Sequence, residues 1–103
     1  MKTFPNDNGM NEVHIKTEAT VYCPLGKDFC KIEIEAWVEN PEMLADFLDV
    51  YDHFTRELNG KEYTREQLTD HAFGFFMETY KPEHLKVRTF GAYPLWVEVT
   101  KSV

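Results

Sequence analysis

Hydrophobic and polar positions alternate in four stretches of the chain. In residues 13–22 the apolar or small side chains fall on every second position, and the same period returns in residues 31–38 after a short loop. Two further alternating stretches, residues 85–89 and 95–99, are separated by turn signals in residues 91–94. A period of two is typical of strands with one buried face. The pattern therefore predicts two β-hairpins, one in each half of the chain.

Between the hairpins, apolar residues recur at helical spacing in two segments. Asn40 followed by Pro41 favours a helix start, with Asn40 as the N-cap and Pro41 in the first helical position, and an Asn-Gly pair ends this helix. Thr64 and Gln67 have the spacing of a capping box, which predicts the start of a second helix. The apolar side chains, which we interpret as core rather than as a ligand cage, are Leu44, Phe47, Leu48, Tyr51, Phe54 and Leu58, then Leu68, Ala72, Phe75, Phe76 and Tyr80.

The order strand, strand, helix, helix, strand, strand predicts an α+β domain. A four-stranded antiparallel sheet would carry both helices on its apolar face. We expect residues 13–103 to form this single domain. Residues 1–12 contain turn signals and are expected to be a polar arm, loosely ordered or laid on a neighbouring molecule.

The other face of the predicted sheet is charged. It carries Lys16, Glu18, Lys31, Glu33, Glu35, Lys86, Arg88 and Glu98. The edge strands of such a sheet lack partners, and continuation of the sheet into other copies, closed as a barrel, would remove the edges and turn the charged face toward a wet lumen. We favour this homo-oligomeric barrel, and a monomeric two-layer sandwich with a solvated outer face is the alternative.

Composition and charge narrow the function classes. The 103 residues carry 11 lysines and arginines against 18 aspartates and glutamates, a formal net charge of −7. This charge repels polyanions, so tRNA and other nucleic acids are not favoured as partners. We find no membrane span and no signal peptide, and the two cysteines, Cys23 and Cys30, suit a reducing cytoplasm. Their spacing matches neither a redox nor a zinc motif, so no metal site is expected.

The loop between the first two predicted strands is the strongest candidate for chemistry. Cys23 and Asp28 stand at its two ends, where a thiol and a carboxyl group could approach each other. A thiolate is a nucleophile and a thiol is not, so Cys23 acts only if its pKa is lowered or a substrate organises the pair. Lys27 is the nearest cation in the sequence. The alternative is that Cys23 is a small packed residue in an ordinary hairpin loop.

Motifs along nearly the whole chain resemble one family. They are Thr3-Phe4-Pro5-Asn6, Cys23-Pro24 followed by Gly26 and Asp28-Phe29, Glu66 in the second helix, and Val97-Glu98-Val99 in the last strand. With this order of elements the chain resembles the tunnelling fold, whose oligomeric barrels bind purines and pterins at subunit interfaces. Within that fold it is similar to the 7-cyano-7-deazaguanine reductases of queuosine biosynthesis and to their amidine-forming relatives in archaeosine synthesis. The loop is two residues shorter than in the reductases and is nearer that of the amidine-forming relatives.

The resemblance implies roles for four residues. Cys23 would add to the nitrile carbon of 7-cyano-7-deazaguanine to form a thioimide, and Asp28 would protonate the nitrile nitrogen. Glu66 falls where the family anchors the purine edge and would accept two N–H bonds from a guanine-like ring. Stabilisation of the helix dipole is the alternative role for Glu66. Arg65 stands where the family often has histidine and would line the same substrate pocket.

The first helix departs from the reductases in a way that bears on the reaction. The reductases carry a lysine-rich segment there, implied to hold the phosphate-bearing cofactor NADPH. This chain has Asp46, Asp49 and Asp52 instead, and it has no lysine between Lys31 and Lys61. We therefore expect no cofactor and favour amidine formation with ammonia on a free 7-deazaguanine or its nucleoside. NADPH-dependent reduction is the alternative, and a non-catalytic purine- or pterin-binding protein of the same fold is a further one.

Overall fold

The described part of the chain, residues 2–23, 28–92 and 96–103 of a computed structural model, forms six strands and two helices. The strands are β1 (Thr3–Pro5), β2 (Glu12–Cys23), β3 (Asp28–Glu39), β4 (Met43–Ala45), β5 (His84–Ala92) and β6 (Trp96–Ser102), and the helices are α1 (Phe47–Leu58) and α2 (Arg65–Tyr80). The class is α+β with antiparallel sheets and two helices, as the sequence predicts. Neither helix is long and apolar enough to cross a membrane.

Four of the strands form one antiparallel sheet in the order β2-β3-β5-β6. β2 pairs with β3 along its whole length, from Glu12 opposite Glu39 to Cys23 opposite Asp28. β3 then pairs with β5, and β5 pairs with β6. Among the described residues neither β2 nor β6 has a partner on its outer side, so these two strands are the free edges. The predicted turn after Gly91 falls mostly on residues 93–95, which lie outside the described part.

Both helices cover one face of this sheet. The period of two in β2 and β3 puts alternate residues into the core, among them the fully buried Val21, Ile32 and Ile34. α2 packs on β5 and β6, and α1 packs beside β2. Phe54 of α1 and Phe76 of α2 meet edge to face between the layers, with ring centroids 5.2 Å apart. Burial of these large apolar side chains is the main force that holds the helices on the sheet.

The first helix does not begin at Asn40 and Pro41, and that prediction was wrong. The helix begins after Asp46, whose side chain accepts hydrogen bonds from the backbone N–H groups of Leu48, at 3.0 Å, and Asp49, at 3.3 Å. Asn40 instead has a φ of 45°, a left-handed conformation that ends β3 in a turn. An Asn-Pro pair is a turn signal as well as a helix signal, and here the turn forms.

The amino-terminal arm, predicted over residues 1–12, is tied to its own chain. β1 pairs with β4 in an antiparallel ribbon that puts Phe4 opposite Leu44. The Asn6 side chain donates from Nδ2 to the carbonyl oxygen of Pro41 at 2.8 Å. The expectation of a loosely ordered arm is therefore corrected, and contact of the arm with a neighbouring molecule stays a prediction. The backbone groups of β4 pair with the arm, which explains why that segment is extended and helix α1 starts late.

The sheet face turned away from the helices carries paired charges, as the alternation predicts. Arg88 lies between two carboxylates, with Nη2 2.7 Å from Glu33 Oε2 and Nη1 3.1 Å from Glu98 Oε1. His14 Nε2 is 2.9 Å from Glu35 Oε2. Glu12 and Glu39 share this face by register, so it carries four cations and six carboxylates, and most of the chain's net charge of −7 lies on the helices and connecting segments.

Replacement of the N-cap of α1 should destabilise the fold. Asp46→Ala removes the acceptor of two N–H groups, so we expect a loss of about 1 kcal/mol in the free energy of unfolding, measured by urea denaturation. Asp52→Ala is the matched control, because Asp52 is an exposed aspartate of the same helix whose side chain makes no polar contact with the described residues. Equal losses in both variants would contradict the assignment of Asp46 as the cap.

Candidate active site

The predicted catalytic pair lies at one end of the β2–β3 ladder. Cys23 is the last residue of β2, Asp28 is the first of β3, and their Cα atoms are partners in the register. Opposed residues in an antiparallel ladder have Cα atoms about 4.5–5.5 Å apart. The backbone thus brings together the two residues that the sequence selects. Their side chains, and residues 24–27 with Lys27, lie outside the described part of the structure.

The segment between the helices is hydrogen-bonded to this end of the hairpin. The backbone N–H of Tyr22 donates to Asn59 Oδ1 at 3.1 Å, and the Tyr22 carbonyl accepts from the N–H of Gly60 at 3.0 Å. Gly60 has a φ of 78°, which glycine adopts without steric strain. The Asn-Gly pair therefore ends α1, as predicted, and also ties the start of the interhelical segment to the residue before Cys23.

Arg65, the first residue of α2, reaches across the sheet toward β6. Its Nη1 donates to the carbonyl oxygen of Val97 at 3.4 Å, and its guanidinium lies against Gly91 of β5. The carbonyl oxygen of Phe29 borders the same space, because a Cβ at Gly91 would lie 3.4 Å from it. The start of α2 is therefore next to the strand segment that follows Asp28.

Glu66 is exposed in the first turn of α2 and makes no hydrogen bond or ion pair with the described residues. The predicted capping box is present without it: the N–H of Gln67 donates to Thr64 Oγ1 at 3.1 Å, and the N–H of Thr64 donates to Gln67 Oε1 at 3.0 Å. Because the cap is complete, the Glu66 carboxylate is not needed to satisfy the helix and is open to a ligand.

Polar contacts as well as apolar packing hold α2 on the sheet. The hydroxyl oxygens of Thr69 and Thr89 are 2.6 Å apart in a buried site. Lys101 of β6 pairs with Asp70, and its Nζ lies 4.8 Å from the centroid of the Phe73 ring. The hydrogen bond from Lys101 and its charge lower the pKa of the Asp70 carboxyl group. These links attach the first half of α2 to both β5 and β6, so its amino-terminal turn keeps its place relative to the strand ends.

The second cysteine lies in the core. Cys30 is a free thiol that is 6% exposed, among the buried side chains of β3. A thiol in that position is a small apolar packing residue, and a reagent in water does not reach it in the folded protein. Cys30 is therefore a matched internal control for any chemistry at Cys23.

Sequence reasoning missed an aromatic pair beside the loop. The rings of Tyr22 and Phe29 are 5.3 Å apart, and both side chains are exposed at the same end of the hairpin as Cys23 and Asp28. A planar heterocycle could stack on such rings. The signal was present in the sequence, since these aromatic residues flank the candidate pair.

Two aspartates of the first helix are engaged within the chain. Asp46 caps the helix, and Asp49 accepts from the Lys2 backbone N–H at 2.9 Å and lies 3.4 Å from His53 Nδ1. The Lys2 N–H, and after it the charge of His53, lower the pKa of the Asp49 carboxyl group. Asp49 is therefore ionised at neutral pH, and this segment presents negative charge to any anionic ligand.

A groove of about 320 Å³ lies at the other end of β2 from Cys23. It runs between residues 14–17 and the side chains of Phe47, Leu48 and Tyr51, all three of which are exposed, Leu48 by 77%. The prediction that these three belong to the core was wrong. Helical spacing identifies an apolar face, but the elements packed on that face decide how much of it is covered.

Comparison with known proteins gives matches at the level of structure. No protein-family model matches the chain, and no curated protein does. The chain is similar to the apo form of an archaeosine synthase QueF-Like, with a TM-score of 0.70 and 20% identity, over 90% of this chain and 93% of that one. It is also similar to a "putative dihydroneopterin aldolase (FolB)" from Vibrio cholerae, with a TM-score of 0.59 and 14% identity, over 91% and 97% of the two chains. The tunnelling fold that the sequence resemblance implies is thereby confirmed.

Proposed function

We propose that this protein is an enzyme of 7-deazaguanine metabolism that acts on the nitrile of 7-cyano-7-deazaguanine through a thioimide at Cys23. The observation that carries the proposal is the meeting of two segments at one end of a tunnelling fold. One is the pair of strand ends with Cys23 and Asp28, and the other is the first turn of α2 with Glu66. A structure that shares this fold is an archaeosine synthase, which supports the choice of substrate class.

The proposed reaction is an addition followed by an exchange of sulfur for nitrogen. The Cys23 thiolate adds to the nitrile carbon, a C–S bond forms, and the nitrile nitrogen takes a proton from Asp28 to give a neutral thioimide. Ammonia then adds to the same carbon, the C–S bond breaks, and Cys23 departs as the thiolate. The Asp28 carboxylate takes one proton from the added nitrogen, so a neutral amidine is released and both residues return to their starting states. No electrons are transferred to or from the substrate, so this route needs no redox cofactor.

The thioimide gives the first test. Incubation with 7-cyano-7-deazaguanine should add the mass of one ligand to the intact protein, measured by mass spectrometry under mild conditions. Cys23→Ala should abolish the adduct, because it removes the nucleophile, whereas Cys30→Ala should leave it, because Cys30 is buried. Equal loss in both folded variants would show that the nucleophile is misassigned. Reversible binding without any adduct would instead favour a non-catalytic purine-binding protein of the same fold.

Recognition of the purine edge is the second test. If the Glu66 carboxylate accepts two N–H bonds from the ligand, Glu66→Ala leaves two desolvated donors unpaired and should weaken binding by roughly 2–4 kcal/mol. Calorimetry in the Cys23→Ala background would measure the reversible affinity alone. Glu62→Ala is the control, because Glu62 is an exposed glutamate of the interhelical segment that lies one turn earlier. Similar affinities in the two glutamate variants would contradict the anchor.

The acidic first helix favours ammonia over a nicotinamide cofactor. Asp49 is ionised there, and its carboxylate is held by the Lys2 N–H, so a dinucleotide phosphate approaching this segment meets like charge. Arg88 of the opposite sheet face does not replace the missing lysines freely, since it is already held between two carboxylates. Reduction by NADPH is accordingly the less favoured reaction.

We expect purified protein with the nitrile substrate to consume ammonia and release an amidine, while the absorbance of added NADPH stays flat. The two signals can be followed in parallel, by mass spectrometry of the product and by absorbance of the cofactor. Cys23→Ala should lose the amidine. Oxidation of NADPH that depends on the nitrile and disappears in Cys23→Ala would refute amidine formation and restore the reductase alternative.

Assembly into a homo-oligomer is part of the proposal. Before Tyr22, β2 has no strand partner on its outer edge among the described residues, and the exposed side chains of Phe47 and Leu48 line a groove beside residues 14–17. Phe4 and Met43 of the β1–β4 ribbon are exposed apolar side chains as well. A second copy of the chain would cover both features. Light scattering at micromolar concentration should therefore give a multimer, and a monomer under those conditions would contradict the barrel.

A further inference from the structure

Gly91 leaves space for a neighbouring side chain and is not needed for an unusual backbone conformation. The glycines with positive φ are Gly9 and Gly60, and Gly91 is not among them. A Cβ at Gly91 would lie 2.7 Å from Arg65 Nη2 and 3.4 Å from Arg65 Cζ. Since real Cβ atoms essentially never approach a heavy atom within 3.0 Å, the guanidinium occupies a notch beside Gly91, and a side chain at that position would force the far end of Arg65 to shift.

Part of the Arg65 guanidinium is enclosed by the protein. Its Nη1 donates to the Val97 carbonyl oxygen at 3.4 Å, and its Nε is buried with no hydrogen-bond partner among the described residues. A buried donor without a partner costs about 1–3 kcal/mol. A ligand in solution does not reach an atom without accessible surface, so this nitrogen does not bind substrate directly.

The notch joins one residue of α2 to three strands. Gly91 lies in β5, it pairs with Val97 of β6, and the Phe29 carbonyl of β3 borders the same space. A planar guanidinium can lie flat against backbone in this way, which the tetrahedral ammonium of a lysine cannot reproduce. Arg65 therefore connects the first turn of α2 to the strand ends beside Asp28.

We propose that Arg65 is a positioning residue that uses the Gly91 notch to hold the first turn of α2, and with it Glu66, against the strand ends of the candidate active site. This differs from the direct substrate contact that the family resemblance implies for Arg65. The claim that Arg65 helps Glu66 to bind a ligand rests on the proposed function. The mechanical part of the proposal, that Arg65 holds the first turn of α2 through its contact with Gly91, does not rest on it.

Hydrogen exchange in the ligand-free protein tests the mechanical part. The reporters are the amides of Gln67 and Leu68, which are hydrogen-bonded to Thr64 in the first turn. We expect Arg65→Ala and Gly91→Ala each to speed their exchange roughly three- to tenfold, the loss expected for about one hydrogen bond of local stability, with little change elsewhere.

Three comparisons make the exchange experiment decisive. Arg56→Ala, which removes an exposed arginine of α1, should leave both reporters unchanged. The double variant Arg65→Ala with Gly91→Ala should exchange no faster than Arg65→Ala alone, because the added methyl group then has nothing to displace. Additive effects of the two substitutions, or faster exchange spread over the whole chain, would overturn the proposal.

A binding cycle separates positioning from direct contact. With 7-cyano-7-deazaguanine as the probe and Cys23→Ala as the background, Arg65→Ala should weaken binding in the presence of Glu66 and change it little once Glu66→Ala is made. Additive losses would mean that Arg65 contacts the ligand by itself, and positioning would be refuted. If the Cys23→Ala protein and the wild type both fail to bind the probe, the proposed function fails, while the exchange experiment still decides the role of Arg65.

Discussion

The register of the β2–β3 ladder is the constraint on which the rest of the structure depends. The two strands pair without interruption from Glu12 and Glu39 to Cys23 and Asp28. A slip of one residue would turn the core face of the shifted strand to solvent and separate the candidate pair. Burial on one face therefore enforces the alignment of Cys23 with Asp28.

The charge of the molecule is unevenly distributed between its two layers. On the outer face of the sheet, cations lie among carboxylates, as the pairs of Arg88 with Glu33 and Glu98 show. Most of the excess negative charge lies with the helices and connecting segments, where Asp46 and Asp49 surround the start of α1. A neutral heterocycle with a nitrile suits this environment better than a polyanion does. In a closed barrel this sheet face would line the lumen, and the more acidic helical layer would face outward.

Local signals in the sequence were sufficient for much of this fold. The period of two located the long strands, and the spacing of Thr64 and Gln67 located the start of α2, because each signal depends on neighbours within one strand or one helical turn. The same reasoning selected Cys23 and Asp28 from the ends of one loop. It failed at Asn40, where a turn and a helix cap have the same composition and the distant partner β1 decided between them.

The sequence by itself determined the four long strands, the end of α1, the start of α2, the charged sheet face and the pairing of Cys23 with Asp28 across one hairpin. Only the tertiary structure decided that the start of α2 lies beside that hairpin, that Gly91 makes room for Arg65, and that Leu48 stays exposed. The physical reason is the range of the interactions. Periodicity and capping act over a few residues, whereas the notch, the free edge and the groove are formed by segments that are distant in the chain and meet only when the helices pack on the sheet.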